Sequence, residues 1–180
     1  MKFTSSLFSL FALVSSVTIA AAGPVGPKGP KDPKPPSVSF LYSSNFTGSP
    51  DIYDVGPGPY GNRMARATTG GTFSGPKLKG TVLPIGGEHG LIGPAPHNNI
   101  FYVDLKQVLK TSDGAFIQIY VTGGTQPDLT DYISIRFETG SEKYFWLNAV
   151  VAFGVLTLSA DFNSASYNAW ILDPPPAPST

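Results

Sequence analysis

The chain has 180 residues, with 12 basic and 12 acidic side chains, 20 Gly, 18 Pro and no Cys. This length suits one domain with terminal extensions, and a hydrophobic fraction of 41% excludes global disorder. Zero net charge argues against a nucleic-acid binder, and the lack of Cys excludes disulfide scaffolds, thiol catalysis, zinc ribbons and iron–sulfur clusters.

The first 22 residues have the features of a secretory signal. One Lys precedes a short apolar segment from Leu7 to Val14, and the small residues Ala20 and Ala22 favour cleavage after Ala22. A membrane anchor would need about 20 continuous apolar residues. We therefore expect residues 1–22 to be a signal peptide and the protein to be secreted, either extracellular or in the cell wall.

Residues 23–36 form a Pro/Gly/Lys-rich spacer before the predicted domain. Their three Gly triplets are too few for a collagen helix and favour an extended polyproline-II segment. Residues 174–180 are a second Pro-rich segment, so the domain is predicted over 37–173. The first 36 residues carry four Lys and one Asp, which leaves an acidic remainder. Within that domain, the sequon at Asn45 is a candidate glycosylation site.

From Ser37 onward, short segments alternate apolar and polar residues between Gly, Pro, Asp and Asn. The alternation is typical of antiparallel strands with one buried face. The predicted inward-facing sets are Phe101, Val103, Leu105 and Leu109; Ile117, Ile119 and Val121; and Ile133, Ile135 and Phe137. Because closure removes exposed edges, we expect an all-β antiparallel β-barrel of about eight to ten strands, with a sandwich as the alternative.

The turns and one further strand complete this prediction. We expect turns at Thr111–Gly114, at Gly123-Gly124 and at Thr139-Gly140-Ser141. The segment 149–158 is apolar on both faces, which predicts a strand that is covered on both sides, and Gly154 would allow a bulge or a bend.

Four polar or aromatic side chains would share one face of two neighbouring strands. Arg136 and Glu138 lie on the first, and Trp146 and Asn148, in line with Tyr144, lie on the second. If this face points into the barrel, the side chains line a small-molecule cavity. If it points outwards, they form a solvated face with cross-strand pairs. The sequence leaves both arrangements open.

Two histidines are candidate metal ligands. His89 follows Glu88 in a Gly-rich segment, and His97 lies eight residues further on. Their spacing matches neither HExxH nor another recognised metal motif, so solvated loop histidines are favoured. We therefore predict no metal and no cofactor.

Three separated blocks of the sequence stand out: Gly61-Asn62-Arg63 with 70–84, then 109–115, then 137–148. These blocks resemble the domain-of-unknown-function 3237 family, and the leader and spacer are similar to those of its secreted fungal members. The resemblance implies a lipocalin-like or allene-oxide-cyclase-like barrel and little about activity, although a few such proteins are regarded as isomerases or cyclases. It carries over Arg63, Glu138, Trp146 and Asn148, whereas Glu88-His89 replaces an Asp-Trp pair that is usual in the family.

The leading functional hypothesis is a secreted barrel that binds a small, partly apolar metabolite and isomerises or cyclises it. Glu138 or Glu88 would then move a proton, and Arg63 or Arg136 would stabilise negative charge. Trp146, Tyr144, Asn148 and His89 would contact the ligand.

The alternative is a non-enzymatic extracellular or cell-wall-associated protein, held to an acidic polymer or matrix through its basic spacer. The sequence leaves open whether any reaction is catalysed. As partners we expect a small molecule, and neither nucleic acid nor a membrane span.

Overall fold

The computed structural model describes residues 34–93, 96 and 100–174. These residues form ten strands and one 3₁₀-helix: β1 (Val38–Gly48), β2 (Tyr53–Gly58), β3 (Gly61–Ser74), β4 (Lys79–Glu88), β5 (Leu91–Ile92), β6 (Phe101–Thr111), β7 (Phe116–Thr125), β8 (Asp131–Glu138), the 3₁₀-helix (Glu142–Ala149), β9 (Ala152–Leu158) and β10 (Ser164–Leu172).

Eight of the strands close into an antiparallel barrel. Their order is β1-β10-β9-β8-β7-β6-β4-β3, and the ring closes because β3 pairs back with β1. The two extra strands lie off this ring: β2 pairs with β3, and the short β5 pairs with both β3 and β6. The predicted antiparallel barrel of eight to ten strands is confirmed, and the sandwich alternative is not.

The core lies inside the barrel, because buried and exposed residues alternate along its central strands. The residues of β8 are alternately buried and exposed along its whole length. β6 from Tyr102 onward and β7 as far as Thr122 follow the same alternation, with intermediate exposure at several outward-facing positions. The predicted inward sets of these three strands are therefore confirmed, with Phe101 partly buried against the core and the others buried. Since side chains of a strand alternate between two faces, the polar partners of these residues point outwards. This decides between the two arrangements that the sequence left open.

Two predicted turns have different outcomes. The Thr111–Gly114 turn joins β6 to β7, and Gly114 adopts φ +93 with its N–H donating to the Thr111 carbonyl at 2.9 Å. Gly123 and Gly124, in contrast, lie inside β7, so the predicted turn there is wrong. Gly123 is used for close approach, because an added Cβ would lie 2.2 Å from the Tyr132 carbonyl oxygen. The chain reverses instead near Leu129.

Two predictions about the segment after β8 are also corrected. Residues 144–148 lie in the 3₁₀-helix rather than in a strand. The strand expected over 149–158 begins at Ala152, and its outward-facing Phe153 and Val155 are exposed, so it is covered on one side only. Gly154 passes through both neighbouring ladders without a register shift, so it forms no bulge. Because these outward-facing residues are apolar, the alternation between buried and exposed positions is not visible in the polarity of the sequence.

The 3₁₀-helix lies at one end of the barrel, which we call the closed end. Its Tyr144 and Leu147 are buried in the core. Asp113, in the β6–β7 turn, accepts hydrogen bonds from Lys143 Nζ at 2.6 Å and from the Tyr144 hydroxyl at 3.1 Å. The Lys143 hydrogen bond, with a further one from Thr111, holds the pKa of Asp113 well below its usual range. These contacts fix the helix to the sheet.

Several sequence predictions lie outside the described residues. The signal peptide (1–22), nearly all of the spacer (23–36), His97 and most of the tail (174–180) belong to this group, and these assignments stay predictions. No helix in the described part of the chain is long and apolar enough to cross a membrane.

Candidate functional site

A cavity of about 590 Å³ occupies the barrel end opposite the 3₁₀-helix, which we call the open end. It is bounded by the β1–β2, β7–β8 and β9–β10 connections. Most of its lining is apolar, with a few polar groups among the side chains. Its lining residues include Ile52, Arg66, Thr68, Glu88, Phe101, Thr125, Leu129, Asp131 and Phe162.

Two carboxyl groups face this cavity from different strands. Glu88 is the last residue of β4, and its Oε1 accepts a hydrogen bond from the backbone N–H of Asp104 at 2.7 Å. Asp131 is the first residue of β8, is 3% exposed, and accepts a hydrogen bond from the Thr125 hydroxyl at 2.7 Å. The ends of β4 and β8 therefore bring a pair of acids into one apolar chamber.

Burial changes the acidity of both groups. Loss of water around the carboxylate raises the pKa of Glu88 from 4.5 to about 7, with smaller contributions from the negative charges of Asp104 and Asp131. The Asp104 backbone hydrogen bond opposes this rise but does not cancel it. Burial also raises the pKa of Asp131, against the opposing Thr125 hydrogen bond. Glu88 is therefore a group that can hold or release a proton near neutral pH.

Arg63 and His89 lie beside Glu88 but outside the cavity lining. Arg63 Nη1 donates to the His89 carbonyl at 2.5 Å and lies 3.9 Å from Asp104 Oδ2. The His89 N–H donates to the Asp104 carbonyl at 2.9 Å, while the His89 side chain is exposed. These contacts place Arg63 as a positioning residue for the Glu88-His89 segment.

Arg66 ties together two connections at the open end. Its Nε donates to the Ser49 carbonyl at 2.5 Å, its Nη1 to the Phe162 carbonyl, and its Nη2 to Asn163 Oδ1 at 3.3 Å. Phe162 adopts φ +57 and Leu129 adopts φ +66, and both are exposed at the cavity rim. Left-handed backbone is rare for bulky residues and occurs preferentially at functional sites.

Arg136 and Glu138 lie on the outer face of β8, away from the cavity. The Arg136 guanidinium stacks on the Tyr120 ring at 4.1 Å, and the Tyr120 hydroxyl donates to Glu138 Oε2 at 3.1 Å. Of the two arrangements that the sequence left open, β8 has the outward-facing one, because it turns its apolar residues inwards. The contacts form an ordinary cross-strand set.

The three predicted site residues after β8 lie at the closed end. Tyr144 bonds to Asp113, and Lys77 Nζ lies 5.3 Å from the Trp146 ring centre. Asn148 bonds to the backbone N–H and C=O of Thr139, both at 2.9 Å. Since the helix places them away from the cavity, the structure gives these residues structural contacts. Of the predicted site residues, only Glu88 lines the cavity.

Two further expectations concern single residues and metals. Asn45 is exposed on the outer face of β1, where its glycosylation stays a prediction. Within residues 34–93, 96 and 100–174, no group of three or more His, Cys, Asp or Glu side chains comes together in a way that could hold a metal ion.

The cavity is also lined by Asp131, Arg66 and Thr68, which were not among the site residues predicted from the sequence. The alternation of β8 could have identified Asp131, because it lies two positions before the inward-facing Ile133 and therefore on the same buried face. Arg66 and Thr68 had no such signal, since register shifts interrupt the alternation of β3.

The comparisons with known proteins give a family and one named activity. Residues 36–132 match the family described as "Protein of unknown function (DUF3237)". A protein of Penicillium herquei named "Hydroalkoxylation enzyme phnH" is 34% identical over 132 residues, which span 73% of this chain and 81% of that protein.

Solved structures with a similar fold include bacterial and fungal proteins. A β-barrel-like protein from Acinetobacter baumannii has a TM-score of 0.71 at 25% identity and covers 80% of this chain and 100% of its own. An enzyme from Penicillium herquei has a TM-score of 0.62 at 31% identity and covers 80% of this chain and 99% of its own.

Proposed function

The chain belongs to the DUF3237 family, and from this premise we propose that it is an acid–base enzyme that adds the O–H bond of a substrate hydroxyl group across a carbon–carbon double bond of a small, largely apolar molecule. The observation that carries the proposal is Glu88, an acid with its pKa raised to about 7 in the wall of an apolar cavity. The named activity of the Penicillium herquei relative supports the reaction class.

The cavity fits a ligand of this kind in size and polarity. A volume of about 590 Å³ lies in the range of small-molecule sites. Apolar walls favour a mainly hydrocarbon ligand, and the few polar groups are the ones that would orient it. Within the described residues this end is open to solvent, and Ile52, Leu129 and Phe162 form an apolar rim there.

The two carboxyl groups supply both proton transfers of such an addition. Protonated Glu88 donates its proton to one alkene carbon, and the π electron pair forms the new C–H bond. The substrate hydroxyl oxygen then bonds to the neighbouring electron-poor carbon, and its proton passes to the Asp131 carboxylate. Return of that proton to Glu88 through solvent restores the enzyme. The reaction is redox-neutral, because the two parts of one O–H bond add to the alkene. When hydroxyl and alkene belong to one molecule, the product is a cyclic ether.

The test uses an ortho-prenylated phenol, whose alkene gives a tertiary cation on protonation. Cyclisation conserves mass, so a new chromatographic peak of unchanged mass reports turnover. We expect Glu88→Gln to lower the rate by about 100-fold to 10,000-fold, the usual contribution of a general acid. The wild-type rate should fall as pH rises through about 7, because Glu88 then loses the proton it must donate.

The matched control is Glu138→Gln on the outer face of β8. Glu138 is exposed and contacts Tyr120 rather than the cavity, so this variant should keep the wild-type rate. Equal loss in both variants, or an unchanged rate in Glu88→Gln, would contradict the proposal.

We also propose that the enzyme acts outside the producing cell. The support is the sequence of residues 1–22, together with the exposed sequon at Asn45. In the native host, the secreted protein should begin at Gly23 and shift in mass on glycosidase treatment. Retention of residues 1–22 in the mature protein would refute secretion, and an unchanged mass would refute glycosylation alone. Removal of residues 23–36 tests whether the spacer holds the protein at the wall.

A further inference from the structure

The inner part of the cavity carries a polar pair that the proposed reaction does not use. Thr68 of β3 lines the cavity and is 5% exposed, and its Oγ1 accepts a hydrogen bond from Gln107 Nε2 at 3.3 Å. Gln107 of β6 is 0% exposed. On β6 it lies one inward-facing position farther from the open end than Leu105, the residue paired with Glu88. The pair is therefore deeper than the carboxyl groups.

One donor and one acceptor of this pair have no hydrogen-bond partner among the described residues. Because Thr68 Oγ1 accepts from Gln107, the hydroxyl proton of Thr68 must point elsewhere, and the described residues offer it no acceptor. Gln107 Oε1 is likewise buried without a partner among the described residues. Buried polar groups are normally paired with protein or water, so an unpaired donor on a cavity wall can bind a polar atom of a ligand.

We propose that Thr68, oriented by Gln107, forms a subsite for a ligand oxygen at the inner end of the cavity. The Thr68 hydroxyl donates to a carbonyl or hydroxyl oxygen of the ligand, and Gln107 acts as a positioning residue. The inference rests on the proposed function, because it assumes that the substrate occupies this cavity.

Such a subsite restricts both the class of substrate and the direction in which the substrate enters the cavity. The substrate would be an oxygenated, largely apolar ring system that enters oxygen first. The reacting alkene and hydroxyl would then lie nearer the open end, beside Glu88 and Asp131. Phe101 in the cavity wall suits a planar ring against it.

The test compares two probes that differ in one group, β-naphthol and β-methylnaphthalene, on the full chain by calorimetry. Wild type should prefer β-naphthol. Thr68→Val, which replaces the hydroxyl by a methyl group of similar size, should weaken β-naphthol binding about fivefold to tenfold, the effect of one hydrogen bond. Binding of β-methylnaphthalene should not change.

Three further variants separate this role from a structural one. Thr68→Ser keeps the hydroxyl and should keep the preference, whereas Gln107→Leu should reduce it. Thr69→Val is the matched control, since Thr69 is exposed and bonds to Thr47. The inference is overturned if Thr68→Val weakens both probes equally or neither, or if wild type shows no preference or no binding. Loss of turnover in Glu88→Gln alongside such a result would leave the proposed function standing.

Discussion

At the scale of single residues, the burial of Glu88 changes both its acidity and its contribution to stability. The cavity wall removes water from its carboxyl group, which keeps the proton bound up to about pH 7. The hydrogen bond from Asp104 fixes where that proton can be delivered. The same burial means that ionising Glu88 disfavours the folded state.

The first prediction concerns the pH dependence of stability. Between about pH 4.5 and 7 the folded state holds a proton on Glu88 that the unfolded chain has released, so the free energy of unfolding should decrease as pH rises. The difference between 4.5 and about 7 corresponds to roughly 3 kcal/mol across this interval. Glu88→Gln should remove that slope. Urea denaturation at several pH values measures it.

Glu142→Gln is the control for this measurement. Glu142 is exposed at the start of the 3₁₀-helix, so its replacement should leave the slope of the wild type intact. If wild type and Glu88→Gln gave parallel curves of stability against pH, the assigned state of Glu88 would be refuted.

At the scale of elements, the connections at the open end combine backbone strain with exposed apolar side chains. Phe162 is 59% exposed and keeps a left-handed backbone that costs an L-residue roughly 1–2 kcal/mol. Arg66 donates to its carbonyl and so holds the β9–β10 turn against the β1–β2 connection. A turn that is strained, apolar and clamped at a cavity rim fits the proposed ligand-binding role better than a stabilising one.

The second prediction follows from that strain. In Phe162→Gly, relief of the left-handed backbone should offset the entropy that Gly adds to the unfolded chain, about 0.5–1 kcal/mol. The free energy of unfolding should therefore stay unchanged or rise. Affinity for an apolar fluorescent probe should fall, because part of the rim is lost. Urea denaturation and probe titration measure the two effects.

Phe145→Gly provides a comparison with opposite sign. Phe145 is 62% exposed, similar to Phe162, but lies in the 3₁₀-helix at the closed end. Gly there should lower the free energy of unfolding by roughly 1 kcal/mol without affecting the probe. Equal destabilisation in the two variants would show that the Phe162 turn is not strained.

At the scale of the whole molecule, an aromatic cluster joins opposite walls of the barrel in the absence of disulfides. Tyr42 of β1 is fully buried and makes edge-to-face contacts with Phe73 at 5.6 Å, Tyr167 at 5.7 Å and Phe137 at 6.3 Å. Its hydroxyl lies 3.0 Å from that of Tyr167. The cluster therefore links β1, β3, β8 and β10 across the interior.

The third prediction separates packing from hydrogen bonding in this cluster. Tyr42→Ala should lower the free energy of unfolding by about 3–5 kcal/mol, because it leaves a large cavity where four strands meet. Tyr42→Phe should cost only about 1 kcal/mol, since it keeps the ring and loses one hydrogen bond. Tyr60→Ala, at a position 74% exposed, should change stability by less than about 0.5 kcal/mol. Similar losses in the two Tyr42 variants would contradict this assignment.

The strands could be predicted where a single alternation runs without interruption. In β6, β7 and β8 the inward residues follow a period of two, and the polarity of each position was enough to assign its face. The prediction failed at Gly123-Gly124 and at residues 144–158. There, Gly serves close packing between strands, an apolar outer face hides the alternation, and a short helix carries aromatic residues like those of a strand.

The sequence by itself determined that this is an antiparallel all-β domain and which face of its central strands is buried, because both properties depend on local alternation. Closure into a barrel rather than a sandwich depends on the pairing of β3 with β1, which is a contact between strands distant along the sheet order. Only the tertiary structure decided the site. Arg136 and Glu138 lie on the outside of the barrel, whereas Glu88 of β4, Asp131 of β8 and Thr68 of β3 line one cavity. The raised pKa of Glu88, and the Thr68 hydroxyl that has no acceptor among the described residues, arise from burial. Burial depends on contacts across the whole barrel and has no local sequence signal.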